Sequence, residues 1–398
     1  MRTLTTPTAE STPSHAIVVY GAGMLQGFAF TLVPALATVF AAAPYNINAR
    51  GFGILFIPLT VGAIIGAALT PKLAAKTDTV MVLRIGVVAN AAALVALLIA
   101  SRTIGAAAYV LLLIDTTALG LGFGLNFSAV NELASHLSAN ETASVTIANV
   151  LTGLGTSLTP IILGAFIFHH AWAIWPGILL AAFIVIFVSS LRWHEAKSTS
   201  SVATPSPSRT LIAFGIAALL YAFCEGTFSS WATTFAHLDR GFSLATGEAA
   251  LTAFWLALTL TRLFAAFATR VLTPKIAIVI FPILIAAAFF FLPLWRTPTT
   301  LVIGFALGGI ACSIVFPFAM SLALGAMPSD ADRVAGVMVA ALMTGEGFGT
   351  FFVGALHADA HVSLAAIYRA AAVVALALAI AATLARSASP ERALNRSS

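Results

Sequence analysis

The chain has 398 residues, of which 60% are hydrophobic and only 8% are charged, and its formal net charge is +5. A soluble domain carries about 25% charged residues, so this composition excludes an ordinary soluble protein and predicts an integral membrane protein. The basic residues are spread over short loops, which argues against a nucleic-acid-binding surface and fits orientation in a membrane.

Long apolar segments fill most of the sequence. The first 14 residues are polar and rich in Ser, Thr and Pro, and the apolar segment after them is too long for a signal peptide. Breaks at Pro, Gly and charge clusters predict twelve membrane-spanning helices, because an apolar run of about 20 residues crosses a bilayer. These spans 1 to 12 are expected at residues 16–41, 52–71, 80–101, 105–134, 142–168, 171–192, 209–236, 247–270, 275–294, 299–326, 335–357 and 363–385.

A polar interruption divides the spans into two sets of six. The sequence WHEAKSTSSVATPSPS at residues 193–208 has the composition of a linker and follows span 6. A chain of two similar halves is typical of transporters whose halves move about a central site. The predicted units are a tail at 1–14, a six-helix bundle at 15–192, the linker at 193–208, a second bundle at 209–386 and a tail at 387–398.

The distribution of Lys and Arg predicts the orientation. With the N-terminus inside, the inner side holds thirteen basic residues and the outer side holds five, and Arg262 lies within a span. This asymmetry predicts a multi-pass protein with both termini in the cytoplasm, and we expect it in a bacterial inner membrane.

Five charged residues lie deep inside the apolar segments. They are Asp115, Glu132, Glu225, Glu346 and Arg262. A charge at that depth is costly unless it faces water, a partner or a substrate. These residues are therefore the first candidates for function.

Several segments carry a family resemblance that covers nearly the whole chain. With the twelve spans and the six-plus-six division, they resemble the major facilitator superfamily, and within it the fucose/glucose–galactose sugar:proton symporter branch. The segments are YAFCEGTFSSW at 221–231, FWLALTLTRL at 254–263, GLGFGLNFSAVN at 120–131 and GFALGGIACSIVFP at 304–317.

The resemblance implies a fold and a class of function. The fold is an all-α membrane protein whose twelve transmembrane helices form two pseudo-symmetric six-helix bundles. The function is secondary active transport of a small polar solute, with a sugar-like one favoured, by proton-coupled uptake. Expected partners are the solute, protons or another coupling ion and membrane lipid, and the expected state is a monomer without a cofactor or nucleic acid.

The sequence departs from that branch at informative positions. Phe127 stands where the branch has an acidic residue four positions before the span 4 asparagine, and Thr261 stands where it has a glycine. The usual acidic residue and glycine of the loop between spans 2 and 3 are also missing around residues 70–76. Phe127 in particular removes an expected proton-coupling and sugar-binding carboxylate.

Glu225 is the main candidate for proton coupling. It lies 16 residues beyond Arg209, or roughly 24 Å along a helix, in the middle or outer half of span 7. If span 7 lines a central cavity, as the resemblance implies, this carboxylate can exchange protons with water from alternating sides and accept a hydrogen bond from substrate. The alternative is a structural hydrogen bond to a neighbouring helix.

Glu346 and Arg262 are predicted to form an ion pair. Glu346 lies between glycines in span 11, and Arg262 lies about eight residues before the inner end of span 8. Their depths permit a contact if these spans are neighbours. The pair can be fixed and structural, or it can break and re-form with proton transfer.

Asp115 and Glu132 lie at opposite ends of span 4. Asp115 is a further proton-coupling candidate, either as a proton or substrate contact or as an outer gate residue bonded to Thr116 and Thr117. Glu132 is near the inner end, where a solvated structural role is favoured over a gate contact.

Amides and one tryptophan are the candidate substrate contacts. Gln26, Asn126, Asn131 and Asn149 can bind hydroxyl groups without fixing a charge, which suits a sugar or polyol. Such amides also join helices to one another. The ring of Trp231 can stack on a sugar, although its place near the end of span 7 favours a role as an interface anchor.

Other function classes find less support. The sequence has no P-loop or other enzyme motif, so neither an enzyme nor ATP-driven transport is predicted. His357 and His361 are spaced by four, but no helix is expected there, so no metal site is predicted. The main alternative is a proton-coupled exporter of drugs or amphipathic compounds, which the 29 Phe against 5 Tyr keeps open.

Overall fold

The computed structural model describes residues 13–138, 141–193, 209–267, 273–327 and 331–387, and these residues form helices joined by short loops. The predicted tails and the linker at 193–208 lie, apart from their edge residues, outside the described residues. The two predicted bundles are considered below from the packing of their helices.

The described helices follow the predicted spans in order. Spans 1 to 6 are Pro13–Phe30 with Leu32–Ala35 and Ala37–Ala41, Ala49–Ile54 with Phe56–Lys76, Thr79–Ala100, Gly105–Ser135, Glu141–Phe168 and Ile174–Ser190. Spans 7 to 12 are Arg209–Ser230 with Ala232–Thr234 and a π turn at Phe235–Asp239, Leu244–Phe267, Pro274–Phe291 with a 3-10 turn at Leu292–Leu294, Pro298–Cys312 with Val315–Ala326, Ala331–Ala358 and Leu364–Ser387.

Length and hydropathy explain why these helices suit a membrane. In the described part of the chain, eleven helices are long and apolar enough to cross a bilayer, and Ile174–Ser190 is a shorter apolar one. Large aliphatic side chains such as Val188, Ile283 and Ile380 are exposed on the outside of the bundle. Lipid is the solvent that such a surface requires. The prediction of an all-α membrane protein with twelve helices is confirmed.

The helices pack as two sets of six. In the first half, span 4 packs on spans 2 and 3, and span 1 packs on spans 5 and 6. In the second half, span 7 packs on spans 11 and 12, span 8 on span 10, and span 9 on span 12. Because the number of spans is even, residues 13 and 387 lie at the same face, here called the terminal face. The opposite face is called the far face.

Several spans are interrupted rather than continuous. Span 1 breaks at Thr31 and Leu36, span 2 at Leu55 and span 7 at Trp231. Span 10 breaks between Cys312 and Val315. Non-helical backbone is tolerated at membrane depth only where protein or water satisfies the freed polar groups. The breaks therefore mark positions where neighbouring side chains are needed.

The two halves are sealed against each other from mid-depth to the far face. The hydroxyl of Thr60 in span 2 donates to the carbonyl of Met343 in span 11 at 3.2 Å. Nearer the far face, a methyl group placed on Gly53 would lie 3.1 Å from Cα of Phe351. At the surface Arg50 and Asp359 form an exposed ion pair of 3.4 Å across the halves. These contacts define the far seam.

The close approach at Gly53 leads to a first prediction. A Gly53→Trp variant has no room for its ring between spans 2 and 11, so we expect the far seam to be held open. Spin labels at Arg102→Cys and Arg296→Cys, both exposed at the far face, should move apart in pulsed EPR distance measurements.

The control for this prediction is Gly177→Trp in span 6. No atom of a neighbouring group lies within 4 Å of a methyl group placed there, so the label distance should stay as in the unmodified protein. An unchanged distance in Gly53→Trp would mean that the close approach at Gly53 does not hold the two halves together.

Candidate functional site

A cavity of about 590 Å³ lies between the two halves, from mid-depth toward the terminal face. Both halves contribute to its wall, since residues of spans 1, 4 and 5 face residues of spans 7, 8, 10 and 11. Its volume suits a small ligand, because ligand pockets commonly measure about 300–1,000 Å³. The residues discussed below that line it are Phe30, Phe123, Phe127, Thr146, Asn149, Thr152, Thr156, Glu225, Trp255, Thr259, Arg262 and Glu346.

The wall from the first half is apolar and aromatic at one end. The rings of Phe123 and Phe127 lie one turn apart on span 4 and stack at 5.4 Å, and Phe30 of span 1 lies 4.8 Å from Phe123. Asn149 and Thr152 of span 5 add polar groups beside them. This half can therefore offer an aromatic surface and neutral hydrogen-bonding groups.

The wall from the second half carries the charges. Tyr221 and Glu225 are spaced by one helical turn in span 7, and the tyrosine hydroxyl donates to Oε1 of Glu225 at 2.8 Å. Nη2 of Arg262 in span 8 lies 3.5 Å from the same oxygen and 3.3 Å from the hydroxyl. Glu225 is buried, whereas about a third of the Arg262 side chain remains exposed. The three groups form one hydrogen-bonded cluster.

Arg262 is also held by the break in span 10. Pro317 has no N–H group, so the carbonyl of Ser313, four residues earlier, has no helical donor. Nε of Arg262 donates to that carbonyl at 2.7 Å. The arginine thus satisfies a freed backbone acceptor with one side of its guanidinium and a carboxylate with the other, and it joins spans 7, 8 and 10.

The predicted ion pair between Arg262 and Glu346 is wrong. Arg262 pairs with Glu225, and span 11, which carries Glu346, packs along span 7 instead of span 8. Glu346 is buried beside the cavity, with its Cγ 3.0 Å from where a methyl group on Gly226 would lie. Among the residues that the structure describes, its carboxyl has no ion-pair partner. Two carboxyl groups therefore share a cavity with one guanidinium.

Gln26 and Asn126 do not reach the cavity, which corrects their assignment as hydroxyl contacts. Both are buried inside the first half together with Asn90 of span 3. Oε1 of Gln26 accepts from Nδ2 of Asn90 at 2.7 Å and from Nδ2 of Asn126 at 3.2 Å. The three amides join spans 1, 3 and 4, as the structural alternative for such residues predicts.

Of the two other amides predicted to contact substrate, Asn149 lies at the cavity and Asn131 lies behind it. Asn149 lines the cavity and is exposed to it. Its Nδ2 donates to Oδ1 of Asn131 at 2.7 Å, and Asn131 donates to the carbonyl of Phe127 at 2.7 Å. Asn131 is half-buried behind Asn149, so it can orient the amide that meets a ligand without lining the cavity itself.

Trp231 is neither a membrane anchor nor part of the cavity wall. Its side chain is 1% exposed, and its indole N–H donates to the carbonyl of Thr350 at 3.2 Å. The ring meets Phe52 of span 2 edge-on at 5.3 Å. Trp231 therefore belongs to the far seam, since its ring contacts the other half.

The remaining charged candidates also lie outside the cavity wall. Asp115 is buried in the half of span 4 nearer the far face, and Oδ2 has no hydrogen-bond partner. The hydroxyls of Thr116 and Thr117 donate to the carbonyls of Leu112 and Leu113 rather than to Asp115. Glu132 is half-buried at the end of span 4 nearer the terminal face and accepts from the hydroxyl of Thr79 at 3.0 Å, which fits its structural interpretation.

Sequence reasoning missed several residues that the structure brings forward. Tyr221 could have been found from its spacing of four before Glu225. Arg84 was counted with the basic loops, but it is buried and donates to the carbonyls of Ser190 and Trp193. Glu248 was left out because it lies near the end of span 8, yet only 2% of it is exposed.

Metal chemistry receives no support from the described residues, where no group of three His, Cys, Asp or Glu side chains could hold a metal ion. The cysteines Cys224 and Cys312 are both free and buried. The groups that the cavity wall offers to a ligand are hydrogen-bonding, ionisable and aromatic ones.

Comparison with solved structures identifies the fold. No protein-family model and no curated protein sequence matches this chain. A nucleoside transporter superposes with a TM-score of 0.72 at 14% identity over 94% of this chain and 98% of that one. The fucose:proton symporter of E. coli gives 0.66 at 15% identity over 93% and 98%.

A third neighbour is the inward-open xylose transporter of E. coli, with a TM-score of 0.74 at 13% identity over 92% of this chain and 94% of that one. Each of these proteins is a transporter, and the twelve-helix fold that they have is the fold of this chain. At such identities the comparison establishes the fold alone.

Substitution of the buried Asn126 and of the cavity-lining Asn149 by alanine should affect different properties of the protein. Asn126→Ala removes a hydrogen bond inside one bundle, so we expect a loss of stability of roughly 0.6–1.7 kcal/mol and unchanged ligand affinity. Asn149→Ala should weaken ligand binding with a smaller change in thermal unfolding. Stability is measured by thermal unfolding and ligand affinity by equilibrium binding, both on the purified proteins. If Asn126→Ala lost affinity and Asn149→Ala did not, the assignment of Asn126 to the bundle interior and Asn149 to the cavity would be contradicted.

The contact between Arg262 and the freed carbonyl can be tested by a double-mutant cycle. Arg262→Ala leaves the Ser313 carbonyl and Glu225 without their partner, whereas Pro317→Ala restores a backbone donor to that carbonyl. We expect Arg262→Ala to destabilise the protein less in the Pro317→Ala background, with a coupling of about 1 kcal/mol or more. Additive effects on the free energy of unfolding would mean that the proline does not create the need for the arginine.

Proposed function

We propose that this protein is a secondary active transporter that moves a small polar solute, sugar-like in character, by alternating access coupled to protons. The observation that carries the proposal is the composition of the cavity wall, in which two carboxyl groups, Glu225 and Glu346, occur with one guanidinium, that of Arg262, which pairs with Glu225. A buried carboxylate without a counter-charge is costly, so the second carboxyl needs a proton or a cation to be accommodated.

Glu225 and Glu346 have different roles in the proposed mechanism. Glu225 is held by Arg262 and Tyr221, which supply the hydrogen bonds of an ionised carboxylate. Glu346 lacks such a partner and is the proposed resting place of the transported proton. When the cavity is open to the far face, the solute and the proton enter it together. When the halves rock so that it opens to the terminal face, water reaches both groups from that side, and the proton can leave together with the solute.

The rest of the wall fits a solute with one apolar and several hydroxyl-bearing faces. The rings of Phe30, Phe123 and Phe127 can pack against the C–H face of a sugar ring. Asn149 and the hydroxyls of span 5 can bind its hydroxyl groups. Glu225 can accept a further hydrogen bond from the solute and so connect solute binding with the charged cluster.

A second candidate is proton-coupled export of an amphipathic compound. The aromatic wall favours it, because Phe127 replaces a carboxylate with an apolar ring on the side that faces Glu225. The two candidates differ in direction and in solute. Imposing a pH gradient of either sign on inverted vesicles separates them, since uptake and export require opposite gradients.

Orientation and setting follow from the charge distribution. We place both termini in the cytoplasm, so that the terminal face is cytoplasmic, the cavity opens inward and the far face is external. A bacterial inner membrane and a monomeric state complete the proposal. Solute, protons and lipid are the proposed partners.

Three Glu→Gln variants test the coupling mechanism. Glu346→Gln should abolish proton-driven accumulation in reconstituted vesicles, because it cannot release a proton, while exchange of labelled for unlabelled solute continues. Glu225→Gln should also abolish accumulation but keep exchange, because it removes the negative charge that pairs with Arg262 and so leaves Glu346 free to stay ionised. Glu225→Gln should also weaken solute binding.

Glu132→Gln is the matched control for these variants. Its carboxylate lies outside the cavity and accepts from Thr79, so accumulation should remain normal. Normal accumulation by Glu346→Gln would overturn the proposed proton site, and loss of exchange in both cavity variants would indicate a structural role instead.

A further inference from the structure

We propose that Glu248 is a second proton-binding site, filled whenever the far seam is closed around it. The inference rests on the proposed alternation between two states of the transporter. Its starting point is a row of unpartnered polar groups on span 8.

The row is formed by Glu248, Thr252, Trp255 and Thr259. Of the ten buried side-chain atoms in the described residues that lack a hydrogen-bond partner, five belong to these four residues. They are both carboxyl oxygens of Glu248, the hydroxyls of the two threonines and the indole N–H of Trp255. Spacings of four, three and four place the residues on one face of the helix.

That face meets span 5 of the other half. A methyl group placed on Gly164 would lie 2.9 Å from Cγ of Glu248, and one on Gly153 would lie 2.7 Å from Cγ2 of Thr259. Both glycines therefore leave room for the side chains of span 8. The row runs from the cavity, which Trp255 and Thr259 line, to Glu248 near the far face, about 10 Å beyond Trp255 at 1.5 Å per residue.

Buried polar groups are nearly always hydrogen-bonded, so this concentration needs an explanation. The other five unpartnered atoms in the described residues are scattered, one to a residue, over Thr38, Asp115, Asn126, Trp175 and Arg240. Other buried polar groups within one half are paired, as Gln26 is with Asn90 and Thr350 is with Ser230. The row on span 8 instead lies where two halves must separate. When they do, water reaches the row and supplies the missing hydrogen bonds. The part of the row beyond the cavity, Glu248 and Thr252, therefore belongs to the far half of the pathway, which is closed in this structure.

No basic group neutralises Glu248 in this condition. The charged and titratable residues of the elements packed on span 8 all lie elsewhere or have other partners. At the far end, Asp239 pairs with Arg240, Arg240 donates to the carbonyl of Pro293, and Nδ1 of His237 contacts the carbonyl of Phe242. On span 5, His169 and His170 are exposed beyond its far end, and Glu141 lies at its terminal end. On span 7, Arg209 lies at the terminal end. The remaining titratable residues on spans 7 and 10 are Tyr221, Cys224, Glu225 and Cys312.

A proton is the counter-charge that remains for Glu248. Closing the seam around an ionised carboxylate strands a charge in low dielectric, whereas closing it around the protonated group does not. The closed state therefore holds one proton more than the open state. By linkage, a rise in pH shifts the population toward the open state, by up to about tenfold per pH unit where the group titrates.

The test measures the far-open population against pH. Spin labels at Arg102→Cys and Arg296→Cys report it by pulsed EPR, with the buried Cys224 and Cys312 replaced by Ala. With Glu248 present, the long-distance population should grow as pH rises. Glu248→Gln keeps the shape without titrating, so its population should stay far-closed and insensitive to pH. Glu248→Asp should restore the dependence.

Control variants distinguish the titration of Glu248 from that of other groups. Glu346→Gln in the same label background should keep the rise with pH, because Glu248 is unchanged. A rise that persists in Glu248→Gln overturns the inference. If Gly53→Trp opens the far face but pH never moves the Glu248 protein, this inference alone fails. If neither Gly53→Trp nor a rise in pH opens the far face, the proposed alternation between two states fails as well.

A chemical measurement covers the case in which Glu248→Gln does not fold. In the Gly53→Trp background, Thr252→Cys should react with a membrane-impermeant maleimide added at the far face, at least tenfold faster than without Gly53→Trp. Thr116→Cys is the matched control, since Thr116 is buried within one half and bonded to Leu112. Equal protection of both cysteines would show that the row on span 8 does not open.

Discussion

The contact between Arg262 and its three acceptors is the interaction on which the site depends. A guanidinium at this depth must be satisfied by protein or by water in the cavity, because lipid offers no acceptor. The structure satisfies it with a carboxylate from span 7, a tyrosine hydroxyl and the carbonyl that Pro317 frees in span 10. A helix break that would otherwise be a defect thereby becomes an acceptor that fixes the orientation of the charge.

The two halves divide the chemistry between them. In the cavity wall, the charged groups Glu225, Arg262 and Glu346 come from the second half, and the first half presents aromatic rings, hydroxyls and an amide. The first half holds its own polar residues by an internal amide network centred on Gln26. A solute that touches both walls is therefore the link through which its binding can act on the charged cluster.

The sequence was sufficient for the fold and for the depth of each charge, and insufficient for the partners. Apolar length placed the twelve helices to within a few residues, because the bilayer sets that length. Depth alone made a contact between Arg262 and Glu346 permissible, but span 11 packs along span 7 rather than span 8, and Arg262 pairs with Glu225. Which helices become neighbours is a property of the tertiary fold that neither depth nor periodicity specifies. Glu248 was missed for a related reason, since its burial is produced by Gly164 of the other half.

The contrast between the paired polar groups inside one half and the unpartnered ones along span 8 bears on how the proposed alternation between two states can be reversible. A seam whose polar groups were all paired would be as stable as a bundle interior and would remain shut. Unpartnered atoms along span 8 raise the free energy of the closed far seam relative to the open one, where water satisfies them. Glycines at the seam allow the close packing that offsets this cost. The two arrangements can then differ by only a few kcal/mol, which is the condition for a ligand or a proton to choose between them.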